Sequence, residues 1–199
     1  MQFVLASHNK KKMAEMAAIL SGLDIEVVPL PENAPEPEEN GATFEENARI
    51  KAETLCARTG CAALADDSGL EVDFLGGEPG VYSARYMGED TSYEIKNREI
   101  IRRLEGVNGP ERSARFVCVI AAVLPDGRIL EAEGTMEGQI AMEPAGTGGF
   151  GYDPILYLPE YGKTGAQLSM EEKNEISHRG KALRAIKGEL AGWLERERV

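Results

Sequence analysis

Two adjacent carboxylates, Asp66 and Asp67, directly follow the apolar segment Cys61-Ala62-Ala63-Leu64-Ala65. That segment reads as a short buried strand, and Ser68-Gly69 as the turn that closes it. Carboxylates at the end of a buried strand lie at the rim of a sheet, where α/β proteins place ligands. An Asp there can hold Mg²⁺, take a proton from water, or do both. Asp-Asp-Ser-Gly is also ordinary surface-turn chemistry, so other residues must separate the two readings.

Basic residues gather in one place near the start. Residues 7–12 read Ser-His-Asn-Lys-Lys-Lys and sit between an apolar stretch and a segment of helical periodicity. A helix N-terminus there presents unpaired backbone N–H groups and a positive dipole end to an anion. Lys10, Lys11 and Lys12 then add charge for a phosphate, or they decorate a solvated helix face. On pattern alone Lys51 reads as an exposed helix lysine and Lys173, flanked by Glu171, Glu172 and Asn174, as a surface charge.

Two further segments suit recognition of an aromatic base. Residues 146–154 read GTGGFGYDP. Phe150 can stack on a purine, Gly151 keeps the backbone accessible, and Asp153 can accept or orient a hydrogen bond. Residues 177–183 read SHRGKAL and supply His178 and Arg179. Ser177 is equally suited to capping the last helix, and Arg179 to being a first-turn charge.

The elements that must position these groups follow from periodicity. Residues 3–6 and 25–28 read as strands; Met13, Met16, Ala17 and Leu20 mark a helix between them. Residues 30–41, rich in Pro and Glu, read as a loop. Thr43 with Glu46 forms a capping-box signal, followed by Phe44, Ala48, Ala52 and Leu55 along one helix face. Ile100, Ile101 and Leu104 mark another helix. Residues 115–124 and 128–133 flank Pro125-Asp126-Gly127 as a hairpin. Leu183, Ile186, Leu190 and Trp193 mark a C-terminal amphipathic helix. βα units combined with a central hairpin indicate an α/β fold with a mixed sheet.

Five segments occur in a fixed order: SHNKKK, TFEENARIKA (residues 43–52), ADDSGLEV, GTGGFGYDP and SHRGKAL. Together they closely resemble the Ham1/RdgB family, the inosine/xanthosine triphosphate pyrophosphatases. The likeness runs from residue 3 to about residue 190, and the whole chain, 1–199, is expected to be one Ham1-like domain. It implies an elongated mixed central sheet flanked by helices, with two lobes around an active-site groove. It also implies that a purine nucleoside triphosphate is attacked by water at the α-phosphorus, giving the monophosphate and pyrophosphate. ITP, dITP and XTP are the implied substrates.

The resemblance assigns roles residue by residue. Ser7, Asn9 and Lys12 match the pattern Ser/Thr-x-Asn-x-x-Lys that grips the triphosphate, with His8, Lys10 and Lys11 at its variable positions. Lys51 aligns with a lysine directed into the site, and Lys173 with a phosphate or sugar contact. Asp67 becomes the general base and a ligand of Mg²⁺; Glu39 becomes the second metal carboxylate, with Glu38 next to it as the other choice. Ser68 bonds the substrate, and Asp66 supports the site. Phe150, Gly151, Tyr152, Asp153, His178 and Arg179 form the base pocket, where Arg179 donates to the 6-oxo group. Adenine presents an amino group there and leaves that donor unpaired, a strong ground for rejection. A homodimer is implied as well.

Composition excludes several classes. The net charge of −12 over 199 residues opposes non-specific binding to nucleic acid or anionic membrane. The odd set Cys56, Cys61 and Cys118 reads as buried free thiols of a reducing compartment. The apolar start precedes the lysines, the wrong order for a signal peptide, and residues 116–124 are too few to span a bilayer. A cytoplasmic location is the expectation. The Maf class of pyrophosphatases is the alternative enzyme, disfavoured by GFGYDP and SHRGKAL. A nucleotide sensor without turnover is disfavoured by the presence of Asp67, Glu39 and the basic positions.

Overall fold

The computed structural model describes residues 2–8, 10–23, 25–31, 34–35 and 37–197; of Lys10, Lys11, Glu15 and Glu197 it describes the backbone. The described chain forms a mixed seven-stranded sheet flanked by helices, an α/β fold. The strand order is β2-β1-β3-β4-β5-β6-β7. Contacts divide the chain into two compact units: residues 1–67, 118–134 and 179–199, and residues 68–117 and 135–178.

The first unit is built from parallel crossovers. β1 (Gln2–Leu5) pairs in parallel with β2 (Glu26–Pro29), Phe3 opposite Val27, and with β3 (Ala62–Val72), Leu5 opposite Leu64. Parallel neighbours need a long connection. Here α1 (Lys10–Leu20) joins β1 to β2, and α2 (Phe44–Thr59) lies between β2 and β3. Phe3, Leu5, Met16, Leu20, Leu64 and Ile120 form the core with Leu183, Ile186, Leu190 and Trp193 of α5 (His178–Glu197). Met13 packs against that core as its spacing requires, whereas Ala17 is exposed.

Local chemistry fixes the ends of α2. The Thr43 hydroxyl accepts the Glu46 N–H at 3.2 Å. Gly60 closes the helix at φ 68°, donating to the Cys56 carbonyl at 2.8 Å. The capping box is shifted from its expected form. The Glu46 carboxylate accepts from the Ala42 N–H at 2.7 Å, one residue before the cap, and not from Thr43 itself.

The strand carrying the carboxylates also corrects the expectation. β3 does not end at Ala65, and Ser68-Gly69 do not turn; the strand continues through them to Val72. Leu70 and Val72 are fully buried, and the Leu70 N–H donates to Ser83 Oγ at 2.8 Å. Burial of these two side chains outweighs the turn preference of Asp, Ser and Gly. Asp66 and Asp67 therefore stand within β3 and not at its end, just past Leu64, where the pairing with β1 stops.

β4 (Ser113–Val123) and β5 (Ile129–Ile140) are the expected hairpin. Gly127, at φ 87°, donates to the Leu124 carbonyl, and the Leu124 N–H to Arg128, both at 2.9 Å. β5 outruns its expected end at residue 133 because the polar segment beyond Glu133 still pairs: Gln139 stands opposite Tyr157 of β6 (Leu156–Leu158).

The second unit packs Leu70, Val72, Ile100, Leu104, Phe116, Met136, Ile155 and Leu156 into its own core. α3 (Tyr93–Arg103) is capped by Ser92. β7 (Lys163–Thr164) and α4 (Met170–Ile176), like β6, are too short to show a period in the sequence. Ser169 and Glu172 cap α4 reciprocally. Cys56 and Cys118 are buried and Cys61 is half-buried; none of the three is in a disulfide.

Candidate functional site

Successive residues of a strand face opposite sides. The partners of Asp66 and Asp67, all within the first unit, divide accordingly. Asp67 meets α2: Asn47 Nδ2 donates to Oδ2 at 3.0 Å, and Lys51 Nζ lies 3.5 Å from Oδ1. Asp66 meets Lys12 of α1, with Nζ at 3.0 Å from Oδ2, and Arg179 of α5, with Nε at 3.6 Å.

This division sets the two carboxyls apart electrostatically. Burial pushes the Asp66 carboxyl up, but Lys12, Arg179 and Lys51 outweigh it and hold it well below the usual range. Asp67 goes the other way. Burial raises it, and Glu39 and Asp66 add to the rise, against the opposing pull of Lys51 and Asn47. Asp66 is thus a fixed anion, while Asp67 has the higher proton affinity that a general base needs.

Lys51 links a second carboxylate to the first. Its ammonium lies 2.6 Å from Glu39 Oε1 as well as 3.5 Å from Asp67. Burial lowers the proton affinity of Lys51, but Asp67, Asp66 and Glu39 together raise it above the ordinary value. Glu39 is half-buried, and Glu38 beside it is exposed. Asn47 was not singled out from the sequence. Its Oδ1 accepts from the Gly41 N–H at 2.8 Å, so one amide ties the acidic loop to Asp67. The signal that could have found it is its place four residues before Lys51, on the same helix face.

Of the phosphate-binding residues, Ser7 is buried and His8 exposed, with the His8 ring nitrogen Nε2 at 3.1 Å from the Ala34 carbonyl oxygen. Asn9 lies outside the described residues, as do the side chains of Lys10 and Lys11. Lys12 reaches the site through Asp66.

A second cluster belongs to the second unit. Asp153, 2% exposed, accepts from the Phe150 N–H at 2.7 Å and forms an ion pair with Lys173 through the same oxygen, Oδ2. Lys173 Nζ also lies 4.9 Å from the centroid of the Phe150 ring, which is 64% exposed. Gly149 must be glycine: φ is 69°, and a Cβ there would lie 2.2 Å from Asp153 Oδ2. Asp153 and Lys173 therefore hold an aromatic face at the surface, and Lys173 belongs to this cluster by its contacts.

Other residues of this group make contacts within the protein or are partly buried. Tyr152 is buried, donates to the Ser83 carbonyl at 2.8 Å and meets the Tyr93 ring edge-on at 5.2 Å. Asn97 Nδ2 donates to the Gly151 carbonyl at 3.1 Å. His178 is buried and stacked on Phe116 at 5.0 Å. Ser68 is half-buried. Sequence reasoning missed Tyr93 and Asn97, whose single polar and aromatic side chains carry no motif.

Among the described residues no helix is long and apolar enough to cross a membrane, and no three His, Cys, Asp or Glu residues gather as a metal cluster. The oxygen pair of Glu39 and Asp67 nevertheless suits a hard cation. Mg²⁺ is commonly held by one or two carboxylates plus substrate phosphates, and a positive group already stands between these two.

The Ham1 family profile matches residues 3–189. The dITP/XTP pyrophosphatase of Geobacter sulfurreducens is 50% identical over 194 residues, covering 96% of this chain and 97% of that protein. A dITP/XTP pyrophosphatase of Thermus thermophilus is 51% identical over 187 residues, covering 94% and 90%. Among solved structures, a HAM1 protein from Coxiella burnetii superposes with a TM-score of 0.91 at 44% identity, covering 96% of this chain and 99% of that one. The Staphylococcus aureus Ham1 protein gives 0.89 at 43% identity, with the same coverage.

Proposed function

The chain belongs to the Ham1 family, and from that premise we propose that it hydrolyses dITP, ITP and XTP to the monophosphate and pyrophosphate, clearing deaminated purines from the nucleotide pool. The observation that carries the reading is Asp67, a buried carboxylate of raised proton affinity, oriented by Asn47 and joined through Lys51 to Glu39. Asp67 takes the proton of the attacking water. Ser7, Asn9 and Lys12 hold the triphosphate, with His8, Lys10 and Lys11 beside them.

Glu39 and Asp67 would hold Mg²⁺. Bound there, Mg²⁺ would offset the charge of the phosphates and lower the barrier to attack. Phe150 stacks on the purine; Gly151, Tyr152 and Asp153 shape its pocket; Lys173, Ser68, His178 and Arg179 supply polar contacts. A donor aimed at a 6-oxo group is satisfied by hypoxanthine or xanthine and left unpaired by adenine.

Incubation with ITP and MgCl₂, with products separated by ion exchange, tests the reading. IMP and pyrophosphate are expected. IDP with orthophosphate would move the attack to the γ-phosphorus and overturn it. A cytoplasmic homodimer is part of the same proposal, its assembly checked by mass in solution.

A further inference from the structure

Lys51 stands between the two carboxylates assigned above to the divalent cation. Its ammonium lies 2.6 Å from Glu39 and 3.5 Å from Asp67, and its side chain is 8% exposed. We infer that Lys51 is the built-in counter-ion of the metal site: it holds Glu39 and Asp67 together before a divalent cation arrives, gives up both when one binds, and then turns its ammonium to the triphosphate. This rests on the proposed assignment of Glu39 and Asp67 to the metal.

The physical argument is competition for the same oxygens. A dication held by Glu39 and Asp67 would need carboxylate oxygens that the ammonium already engages, and the two like charges would repel. The ammonium is a compact point charge on a flexible four-carbon stem, so it can stand in for a metal ion and then leave. An arginine fork would fit neither task as well.

Asn47 makes the exchange workable. It bonds Asp67 through Oδ2, the oxygen that Lys51 does not approach, and Gly41 through its own carbonyl. Asp67 and the loop therefore keep their orientation when Lys51 departs. A free dication must displace Lys51 with nothing to receive it. A dication arriving with a triphosphate brings the acceptor with it. The arrangement thus favours the metal–nucleotide complex over the bare ion.

The test measures magnesium binding without nucleotide, by calorimetry and by Mn²⁺ titration followed by EPR. Wild type, Lys51→Met, Lys51→Arg and Asp67→Asn are compared. Lys51→Met should bind the cation about tenfold tighter than wild type, equivalent to about 1.4 kcal/mol, while Lys51→Arg, which keeps the charge, should not tighten. Binding to Lys51→Met that is equal to or weaker than wild type overturns the inference and leaves the metal site standing. Binding that is undetectable in every protein, or unchanged in Asp67→Asn, overturns the metal assignment and the inference with it.

Should Lys51→Met fail to fold, wild type decides. With lysines labelled at Cε, the Lys51 resonance, identified by its absence in Lys51→Arg, should shift saturably with magnesium. A resonance that stays in place overturns the inference.

Discussion

Asn47 and Lys51, one turn apart on α2, end on the two oxygens of a single carboxylate: Asn47 Nδ2 is 3.0 Å from Asp67 Oδ2, and Lys51 Nζ is 3.5 Å from Oδ1. The helix presents a neutral donor and a charged one side by side. The neutral donor is the one that also grips the loop, through the Gly41 N–H.

Asn47→Ala removes both of those bonds. Leaving a buried donor or acceptor unsatisfied costs roughly 1–3 kcal/mol. The variant should lose stability of that order in urea unfolding and lose turnover beyond what the stability loss explains. Wild-type stability in the variant would mean that the amide does not hold the acidic loop.

The adjacent aspartates should answer neutralisation in opposite ways. The fold favours the charge of Asp66 and disfavours that of Asp67. Asp66→Asn leaves the buried Arg179 and the half-buried Lys12 facing a neutral amide, and removing one partner of a buried pair costs about 3–5 kcal/mol. Asp67→Asn, which loses a charge the fold disfavours, should lose less stability in urea than Asp66→Asn, still bind nucleotide, and lose on the order of 10²–10⁴ in rate. Equal destabilisation by the two substitutions would contradict the electrostatic division.

Arg179→Ala should cut kcat/KM for ITP more than for ATP, narrowing the preference, because ATP has no 6-oxo acceptor. Each tenfold change corresponds to about 1.4 kcal/mol. A parallel loss for both nucleotides would assign Arg179 to Asp66 alone, the partner 3.6 Å from its Nε.

Acid sensitivity should appear away from the site. Asp73 is held below the ordinary carboxylate value by the Ser113 hydroxyl, which donates to Oδ2 at 2.6 Å, and by Arg115. Its folded pKa is depressed, so its contribution is present above the unfolded value of about 3.9 and is lost as pH falls through the folded value. Ser113→Ala should be less stable than wild type at pH 7, by below about 1 kcal/mol for so exposed a group. The gap should narrow as pH falls below the unfolded carboxylate value. A gap independent of pH would remove Asp73 from the account.

Elements long enough to repeat are legible in the sequence, since Leu183, Ile186, Leu190 and Trp193 are all buried on one face of α5. The hairpin is legible because Gly127 supplies the backbone conformation its turn demands. The continuation of β3 through Ser68 and Gly69 is not, because the decision is made by the burial of Leu70 and Val72 and not by the turn residues themselves. In the site, Lys51 forms ion pairs with both Glu39 and Asp67. The contact of Arg179 with Asp66, and that of Lys173 with Asp153, join residues distant in the chain, and no local pattern encodes such pairings.

The close approach of Gly149 to Asp153 has a consequence for redesign. Randomising the loop around residue 150 to change base preference would mostly sample misfolded turns, since any side chain at 149 collides with the carboxylate that fixes the Phe150 backbone. Phe150 itself projects its ring outward from a backbone held independently of it. A library that keeps Gly149 and Asp153 and varies residue 150 alone would change the exposed surface proposed to meet the nucleobase while leaving its mounting intact.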